Sequence, residues 1–271
     1  MIGACLGFVI AEMTLTHAVA RRWRNYSIVD VVWSGGFACL IVLIALTAPT
    51  FADAPGLDLR RSLLLGMVVV WSCRLALHLG VRVGRHHPAE DVRYAQLRQE
   101  WGANVDRRMF GFFQLQGGIQ VLLSIPWLPV FLHRVPARTS AELSITEILG
   151  ASLWIIALCG ESLADRQLAR FRANPRNAGK VCQDGLWNYS RHPNYFFEWL
   201  VWVAFAVFAL GSPWGWIGFI APALMYHFLV NVTGIPMTEA LSLRSKGDAY
   251  RNYQRTTSPF IPWFKRSLHT P

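Results

Sequence analysis

Residues 27–47 read SIVDVVWSGGFACLIVLIALT, and this stretch decides the fold. Asp30 is its only charged residue, and about 20 consecutive apolar residues are enough for one helix to cross a lipid bilayer. Because lipid offers no partner for a free backbone amide, a membrane-spanning segment must be a helix or part of a closed barrel. The alternation of apolar and polar residues that a barrel strand requires is absent. The stretch therefore predicts a transmembrane helix.

The rest of the chain repeats this pattern. Of the 271 residues, 53% are hydrophobic and only 15% are charged, whereas soluble domains usually contain about 25% charged residues. A soluble helical bundle would need polar faces that the apolar runs lack. We therefore predict an all-α protein, an integral membrane bundle of seven transmembrane helices that forms a single domain over residues 1–271. The seven predicted spans are residues 2–20, 27–47, 62–84, 112–132, 143–163, 195–211 and 213–237.

The positive charges predict the orientation of the bundle. Twenty of the 26 Lys and Arg residues lie in the C-terminal tail and in every second connection between predicted spans, and only four lie in the other connections. Because Lys and Arg stay on the cytoplasmic side, the N-terminus should be outside and the C-terminus in the cytoplasm. We expect a multi-pass protein of a bacterial inner membrane whose active site faces the cytoplasm. Topology and contact with anionic membrane lipid explain the net charge of +10, so nucleic-acid binding is not expected.

Common cofactor and metal motifs are absent from the sequence. It contains no GxGxxG, GxxxxGK[ST], HExxH or GxSxG pattern. The five cysteines are odd in number and show no CxxC spacing, so they indicate neither a disulfide framework nor a structural metal site. We therefore expect no metal ion.

Polar residues inside the predicted spans indicate a site. Burial of polar groups in lipid is expensive, and most of these residues lie near the predicted cytoplasmic ends of their helices, so we expect a polar cavity open to the cytoplasm. For any one residue the alternative is a snorkelling side chain or an interhelical hydrogen bond. Three pairs are spaced four residues apart and so share a helix face: Arg74 with His78, Glu161 with Asp165, and Asn194 with Glu198.

One dense motif spans residues 184–199, DGLWNYSRHPNYFFEW. It combines a turn at Asp184-Gly185, several aromatic residues, and Arg191 followed by Pro193 at the predicted start of a helix. A helix N-terminus beside an arginine attracts anions, so a ligand that carries phosphate would fit there. The alternative is a membrane-interface anchor made of Trp, Tyr and Arg side chains.

These residues resemble the steroid 5α-reductase family, in its bacterial branch. The resemblance extends from about residue 70 to residue 263 and is strongest from residue 160. It is carried by GESLADRQL at 160–168, DGLW at 184–187, RHPNY at 191–195 with Glu198, and YRNYQR at 250–255 with FIPW at 260–263; LQG at 115–117 and DVRY at 91–94 are similar too.

The resemblance implies a seven-helix protein that holds NADPH in a cavity on the cytoplasmic side and admits a lipophilic, steroid-like substrate from the bilayer. It implies reduction of the double bond of a 3-oxo-Δ4-steroid to the 5α-dihydro product, with residues 160–263 as the most family-like, cofactor-binding part. We expect the enzyme to act as a monomer. Arg172 and Lys180 match basic positions that bind phosphate. The full set of matched cofactor positions is Glu161, Asp165, Leu168, Arg172, Lys180, Tyr189, Arg191, His192, Asn194, Glu198, Tyr253 and Arg255.

The reaction implied by the resemblance needs a hydrogen-bond donor for the ketone oxygen. Hydride transfer to the β-carbon of an enone places negative charge on that oxygen, and a buried donor stabilises it as an oxyanion hole does. Mammalian members of the family use a Glu on helix two and a Tyr on helix three, and this sequence departs from both. Asp30 lies near the first position and His78 near the second, and Asp30 would keep His78 protonated. Tyr26 and Tyr94 are the reserve donors.

Two other functions fit parts of the sequence. Membrane methyltransferases of the isoprenylcysteine carboxyl type, which use S-adenosylmethionine, also have an Arg-His-Pro-x-Tyr stretch and a Tyr-x-x-Tyr tail near Ile-Pro. Glu161, Asp165 and the basic residues of 166–180 favour a phosphorylated dinucleotide instead. A transporter or sterol-binding protein is the other alternative, and transporters favour broken helices at the midplane and internal repeats. We therefore favour the reductase.

Overall fold

The computed structural model describes residues 1–49, 57–133 and 142–266. Within these ranges the chain is helical, with an isolated β-bridge between Ser190 and Ser258, which confirms the predicted all-α class. The α-helices of the described residues are α1 (Ile2–Trp23), α2 (Ile28–Thr47), α3 (Leu59–His86), α4 (Val92–Trp101), α5 (Val105–Leu123), α6 (Leu128–Leu132), α7 (Ile145–Ala173), α8 (Pro193–Ala209), α9 (Ile220–His227) and α10 (Ile235–Thr256).

Six helical stretches within the described ranges are long and apolar enough to cross a membrane. Another apolar helix, α8, has 17 residues, which is about 25 Å, whereas the hydrocarbon core is about 30 Å thick. The chain is therefore a multi-pass membrane protein, and the count of seven spans stays a prediction. The six stretches are Ile2–Trp23, Ile28–Thr47, Leu59–His86, Val92–Leu132, Ile145–Ala173 and Gly215–Thr256.

The helices pack as two compact units. The N-terminal unit comprises Met1–Ser144 and Ala209–Ile217, and the C-terminal unit comprises Ile145–Phe208 and Gly218–Pro271. The three candidate catalytic residues belong to the N-terminal unit, and all the candidate cofactor residues belong to the C-terminal unit.

The span predicted at 112–132 is not a single α-helix. Its helix, α5, begins at Val105, seven residues before the predicted start, and ends at Leu123. A 3-10 turn follows at Ile125–Trp127, where Pro126 has no backbone N–H to donate to an α-helical hydrogen bond. The short helix α6 then completes the apolar run.

The span predicted at 213–237 is divided as well. A 3-10 turn at Gly215–Phe219 leads into α9, which ends in a π-helical turn at Phe228–Val232. α10 then begins at Ile235 with Pro236 in its first turn, where a proline is well tolerated. The helical stretch extends to Thr256, far beyond the predicted end of the span, and is kinked at Gly247, whose φ is +53°.

In the N-terminal unit, α2 packs against α1, α3 and α5 around a buried aromatic core. The ring centre of Phe37 lies 5.4 Å from that of Trp71 and 5.8 Å from that of Trp127. α1 and α5 approach closely at Gly117, where an added methyl group would lie 2.6 Å from Val9 Cγ1. Small residues permit such close approach between membrane helices.

In the C-terminal unit, α7 and α8 approach each other through two glycines of α7. A methyl group at Gly150 would lie 2.6 Å from the backbone nitrogen of Phe208, and one at Gly160 would lie 2.4 Å from the ring of Phe197. A neighbouring backbone cannot move aside as easily as a flexible side chain, so Gly150 sets how closely the two helices pack. These two helices carry half of the candidate cofactor residues.

We expect Gly150→Ala to lower the free energy of unfolding by about 1–3 kcal/mol, because the added methyl group overpacks against the backbone of α8. The matched control is Gly66→Ala in α3, where the methyl group would meet no atom within 4 Å. Thermal unfolding of the two variants in the same mild detergent measures the difference. Equal midpoints for both variants would contradict the close contact between α7 and α8.

Candidate functional site

The C-terminal unit contains a cavity of about 220 Å³ at the end of α7. Its wall is formed by the last turns of α7, by the loop at 174–182, and by Lys246 of α10. Three predicted cofactor residues, Leu168, Arg172 and Lys180, line this cavity, so the structure brings them together. Lys246 was not predicted, because in the sequence it is an isolated lysine outside the family-like motifs.

The cavity is strongly cationic. Arg172, Lys180 and Lys246 line it, and its described wall residues include no Asp or Glu. Burial raises the pKa of the Cys182 thiol, which also lines the cavity, so this residue stays neutral and adds no negative charge. Such a wall attracts anions, and an arginine can bind a phosphate group through two parallel hydrogen bonds. The cavity therefore fits a ligand that carries phosphate.

Local hydrogen bonds give the loop of this cavity its shape. The side chain of Asn174 accepts a hydrogen bond from the backbone N–H of Arg176 at 3.1 Å. Asn177 Nδ2 donates to the carbonyl oxygen of Phe171 at 3.0 Å. Gly179 has a φ of +75°, a conformation that glycine adopts without steric cost. The loop is therefore held in place beside α7 by its own contacts.

Four predicted cofactor residues form a stripe along α7. Glu161, Asp165, Leu168 and Arg172 follow a spacing of four, three and four residues, which places them on one face of the helix. Glu161 is buried, Asp165 is half-buried and Arg172 is exposed. The stripe therefore leads from the interior of the C-terminal unit to the cavity, over about 16 Å of helix.

Asn194 lies in the first turn of α8. Its Oδ1 atom is buried and accepts no hydrogen bond from the described part of the chain. Glu198, one turn later, accepts a hydrogen bond from Trp202 Nε1 at 3.1 Å. Buried acceptors without a donor are uncommon in folded proteins, and an N–H or O–H group of a ligand would satisfy this one. Asn194 is thus suited to ligand binding.

Arg191 and His192 gather around Glu239 of α10, a residue that sequence reasoning missed. Arg191 Nε donates to Glu239 Oε1 at 2.6 Å, and its Nη1 donates to the carbonyl oxygens of Gln254 and Thr257, both at 2.8 Å. His192 Nε2 lies 3.2 Å from the same Glu239 oxygen. These bonds tie the Arg-His-Pro motif to α10, and a direct role for Arg191 or His192 in cofactor binding stays a prediction.

The turn at Asp184–Trp187 is anchored on α7. Gly185 has a φ of +57°, and the side chain of Gln167 occupies the space beside it. Gln167 Oε1 accepts from the backbone N–H of Leu186 at 2.9 Å, and Trp187 Nε1 donates to the carbonyl oxygen of Ala164 at 2.9 Å. These contacts give the motif a structural role within the C-terminal unit.

The remaining predicted cofactor residues lie outside the cavity wall. The hydroxyl of Tyr253 donates to the carbonyl oxygens of Trp187 and Ser190, so it holds the same segment in place. Tyr189 and Arg255 are exposed. Contact between these three side chains and a cofactor stays a prediction.

Burial lowers the pKa of His192 below its usual value, although the neighbouring Glu239 opposes this shift. The folded protein therefore binds fewer protons at this ring than the unfolded chain. We expect stability to fall as the pH drops below the unfolded pKa of about 6.5. Thermal unfolding midpoints between about pH 8 and about pH 5 measure the slope, which His192→Gln should flatten because an amide does not titrate. An unchanged slope in this variant would assign the acid sensitivity to other groups.

In the N-terminal unit, Asp30 and Tyr94 meet. The Tyr94 hydroxyl donates to Asp30 Oδ1 at 2.6 Å, and Arg93 Nη2 lies 2.6 Å from Asp30 Oδ2. Tyr94 is only 3% exposed. The structure thus joins two of the three candidate catalytic residues in one carboxylate–phenol pair.

The third candidate catalytic residue, His78, is exposed on α3. The carboxylate of Asp30 makes its described hydrogen bonds with Arg93 and Tyr94. The other reserve donor, Tyr26, is fully buried and donates to Asp106 Oδ1 at 2.6 Å. Tyr94 and Arg93 are therefore the partners that the structure provides for Asp30, and a catalytic role for His78 stays a prediction.

An ion-pair network at the start of α4 holds this pair in place. Asp91 Oδ1 accepts from the backbone N–H and from Nε of Arg93, at 3.1 Å and 3.0 Å, and Asp91 also pairs with Arg82. Burial alone would raise the pKa of Asp91, but hydrogen bonds from Arg93 and the charges of Arg93 and Arg82 lower it below its usual value. Asp91 therefore stays ionised and keeps Arg93 next to Asp30.

Comparisons with known proteins cover almost the whole chain. The family described as Protein of unknown function (DUF1295) matches residues 16–257. The uncharacterized protein C594.04c of Schizosaccharomyces pombe (strain 972) is similar, with 23% identity over 284 residues that cover 97% of this chain and 79% of that protein. No solved structure gives a significant match. Because the family match extends over most of the sequence, this chain belongs to the DUF1295 family.

Proposed function

We propose that this chain is an NADPH-dependent membrane reductase. It reduces the double bond of a lipophilic enone, such as a 3-oxo-Δ4-steroid, by hydride transfer. The observation that carries the proposal is the cavity of the C-terminal unit, in which Arg172, Lys180 and Lys246 surround about 220 Å³. NADPH carries a pyrophosphate and a 2′-phosphate, and these anionic groups match a cationic wall.

The C-terminal unit has groups for the other parts of this cofactor. Asp165 would accept hydrogen bonds from a ribose hydroxyl, and Arg172 with Lys180 would hold phosphate. Asn194 Oδ1, the buried acceptor of α8, would accept from the carboxamide N–H of the nicotinamide. When bound, NADPH supplies the hydride. The residues of the stripe on α7 would orient the bound cofactor.

Tyr94 is the hydrogen-bond donor that we propose for the substrate. When hydride adds to the β-carbon, an electron pair moves onto the ketone oxygen, and a hydrogen bond to that oxygen lowers the barrier. The Tyr94 hydroxyl is directed at Asp30, so a ketone oxygen would compete with Asp30 for its proton. Arg93 would keep Asp30 paired while Tyr94 turns to the substrate. A proton from solvent water then adds at the α-carbon to give the saturated ketone.

We also propose that α8 completes a set of seven spans, with the N-terminus outside and the C-terminus in the cytoplasm of a bacterial inner membrane. Glu198 is the only charged residue of α8. A green fluorescent protein fused to the C-terminus should fluoresce, because it folds in the cytoplasm and not after export. A green fluorescent protein fusion without fluorescence, together with an active alkaline phosphatase fusion at the same position, would show that the C-terminus lies outside the cytoplasm and that the proposed orientation is wrong.

The test of the reductase is a ligand titration of the protein purified in mild detergent. NADPH, NADH and S-adenosylmethionine are compared by tryptophan fluorescence and by thermal shift, and 3-oxo-Δ4-steroids are then screened for NADPH consumption. We expect tight binding of NADPH alone. S-adenosylmethionine carries no phosphate group, so a cationic cavity wall does not favour it. Binding of S-adenosylmethionine without binding of NADPH would show that the protein is a methyltransferase and not a reductase.

A further inference from the structure

Glu12 lies near the middle of α1, in a part of the N-terminal unit that the proposed reaction does not use. Its Oε2 atom is buried and has no hydrogen-bond partner within residues 1–49, 57–133 and 142–266. Among these same residues, no Lys, Arg or His forms an ion pair with it. A carboxylate charge without a counter-ion is costly inside a membrane.

Gln120 of α5 lies beside Glu12, since both side chains approach the same point on Gly36 of α2. Gln120 is fully buried, and its Nε2 also donates to the carbonyl oxygen of Trp33 at 3.0 Å. Both side chains surround Gly36 of α2, where an added methyl group would lie 2.2 Å from Glu12 Oε1 and 2.4 Å from Gln120 Nε2. Three helices thus meet at one polar contact, and only glycine leaves space for it.

Two buried oxygen atoms at this contact, Glu12 Oε2 and Gln120 Oε1, have no donor among the described residues. The side of the pair that faces Gly36 is filled, so a bulky ligand has no room there. A proton needs no cavity, and it removes the charge of Glu12 and turns one acceptor into a donor. A carboxylic acid and a primary amide can then exchange two hydrogen bonds, which satisfies both oxygen atoms.

We propose that the Glu12–Gln120 pair is a proton-binding site within the membrane, in which Glu12 carries a proton at neutral pH. The inference does not depend on the proposed reductase activity. Cys39 of α2 lies near Glu12 and near Cys73 of α3.

Infrared spectroscopy tests the site, because the carbonyl band of a protonated carboxyl group is separate from carboxylate bands and shifts in heavy water. We expect this band in the difference spectrum between the wild type and Glu12→Gln at neutral pH. The matched control is Glu100→Gln, an exposed residue of α4, whose difference spectrum should contain carboxylate bands only. A Glu12→Gln difference spectrum with carboxylate bands only would overturn the proposal.

A second variant covers the case in which Glu12→Gln does not fold. Glu12→Asp keeps a carboxyl group but shortens the side chain, so the acid band should move or weaken because the contact with Gln120 changes. An acid band that is identical in Glu12→Asp and in the wild type would show that the proton belongs to another residue, and the proposal would be wrong.

Discussion

Arg172→Ala should weaken NADPH binding about 10- to 100-fold and leave the affinity for NADH nearly unchanged. Hydrogen bonds to a charged group contribute about 1.5–3 kcal/mol, which corresponds to this range of affinity. Lys246→Ala should likewise weaken the binding of NADPH more than the binding of NADH, because Lys246 lines the same cavity. The NADPH affinity of Arg172→Lys should lie between those of the wild type and Arg172→Ala, since lysine keeps the charge but cannot bind phosphate through a planar fork. Fluorescence titration of each variant with NADPH and with NADH gives the two dissociation constants and their ratio.

The matched control for these variants is Arg251→Ala. Arg251 is an exposed residue of α10 that pairs with Asp248 and does not line the cavity, so its loss should change neither affinity. Unchanged NADPH binding in Arg172→Ala and Lys246→Ala would remove the cavity as the cofactor site. An equal loss for NADH and NADPH would assign these side chains to the pyrophosphate, which both nucleotides carry.

Tyr94→Phe should lower kcat about 100- to 1000-fold and leave NADPH affinity unchanged, because removal of one oxyanion donor typically costs this much. The variant should remain folded. Asp30 keeps its ion pair with Arg93, so the lost hydrogen bond costs only about 1 kcal/mol of stability. Single-turnover oxidation of NADPH with a 3-oxo-Δ4-steroid, beside a nucleotide titration, separates turnover from binding.

Two further variants decide which residue is the donor. Tyr26→Phe removes the same hydroxyl from another buried tyrosine of the N-terminal unit, one that donates to Asp106, and it should keep its turnover. His78→Phe tests the histidine that the family alignment places near the donor position. Full activity in Tyr94→Phe together with inactive His78→Phe would move the donor to His78.

The helical membrane fold could be predicted from the sequence because hydrophobicity along a helix is a local property. A run such as residues 27–47 must form a helix in lipid, whatever the rest of the chain does. The breaks in the helices were missed, because hydropathy continues unchanged through the 3-10 turn at Ile125–Trp127 and the π-helical turn at Phe228–Val232. Pro126 was a local signal for the first break, since a proline often ends or kinks a helix.

Part of the candidate site was equally local. Glu161, Asp165, Leu168 and Arg172 share a face of α7 because helical periodicity alone places them there. The position of Lys180 near this stripe also depends on a short loop, whose turn at Gly179 has a conformation that suits glycine.

The sequence by itself therefore determined that the chain is helical, where most of its apolar stretches lie and which residues share a helix face. Only the tertiary structure decided which distant residues meet. Asp30 and Tyr94 are 64 residues apart, and Arg191 and Glu239 are 48 residues apart. The physical reason is that hydropathy and periodicity are properties of neighbouring residues, whereas these pairs depend on how whole helices pack and where the connections between them lead.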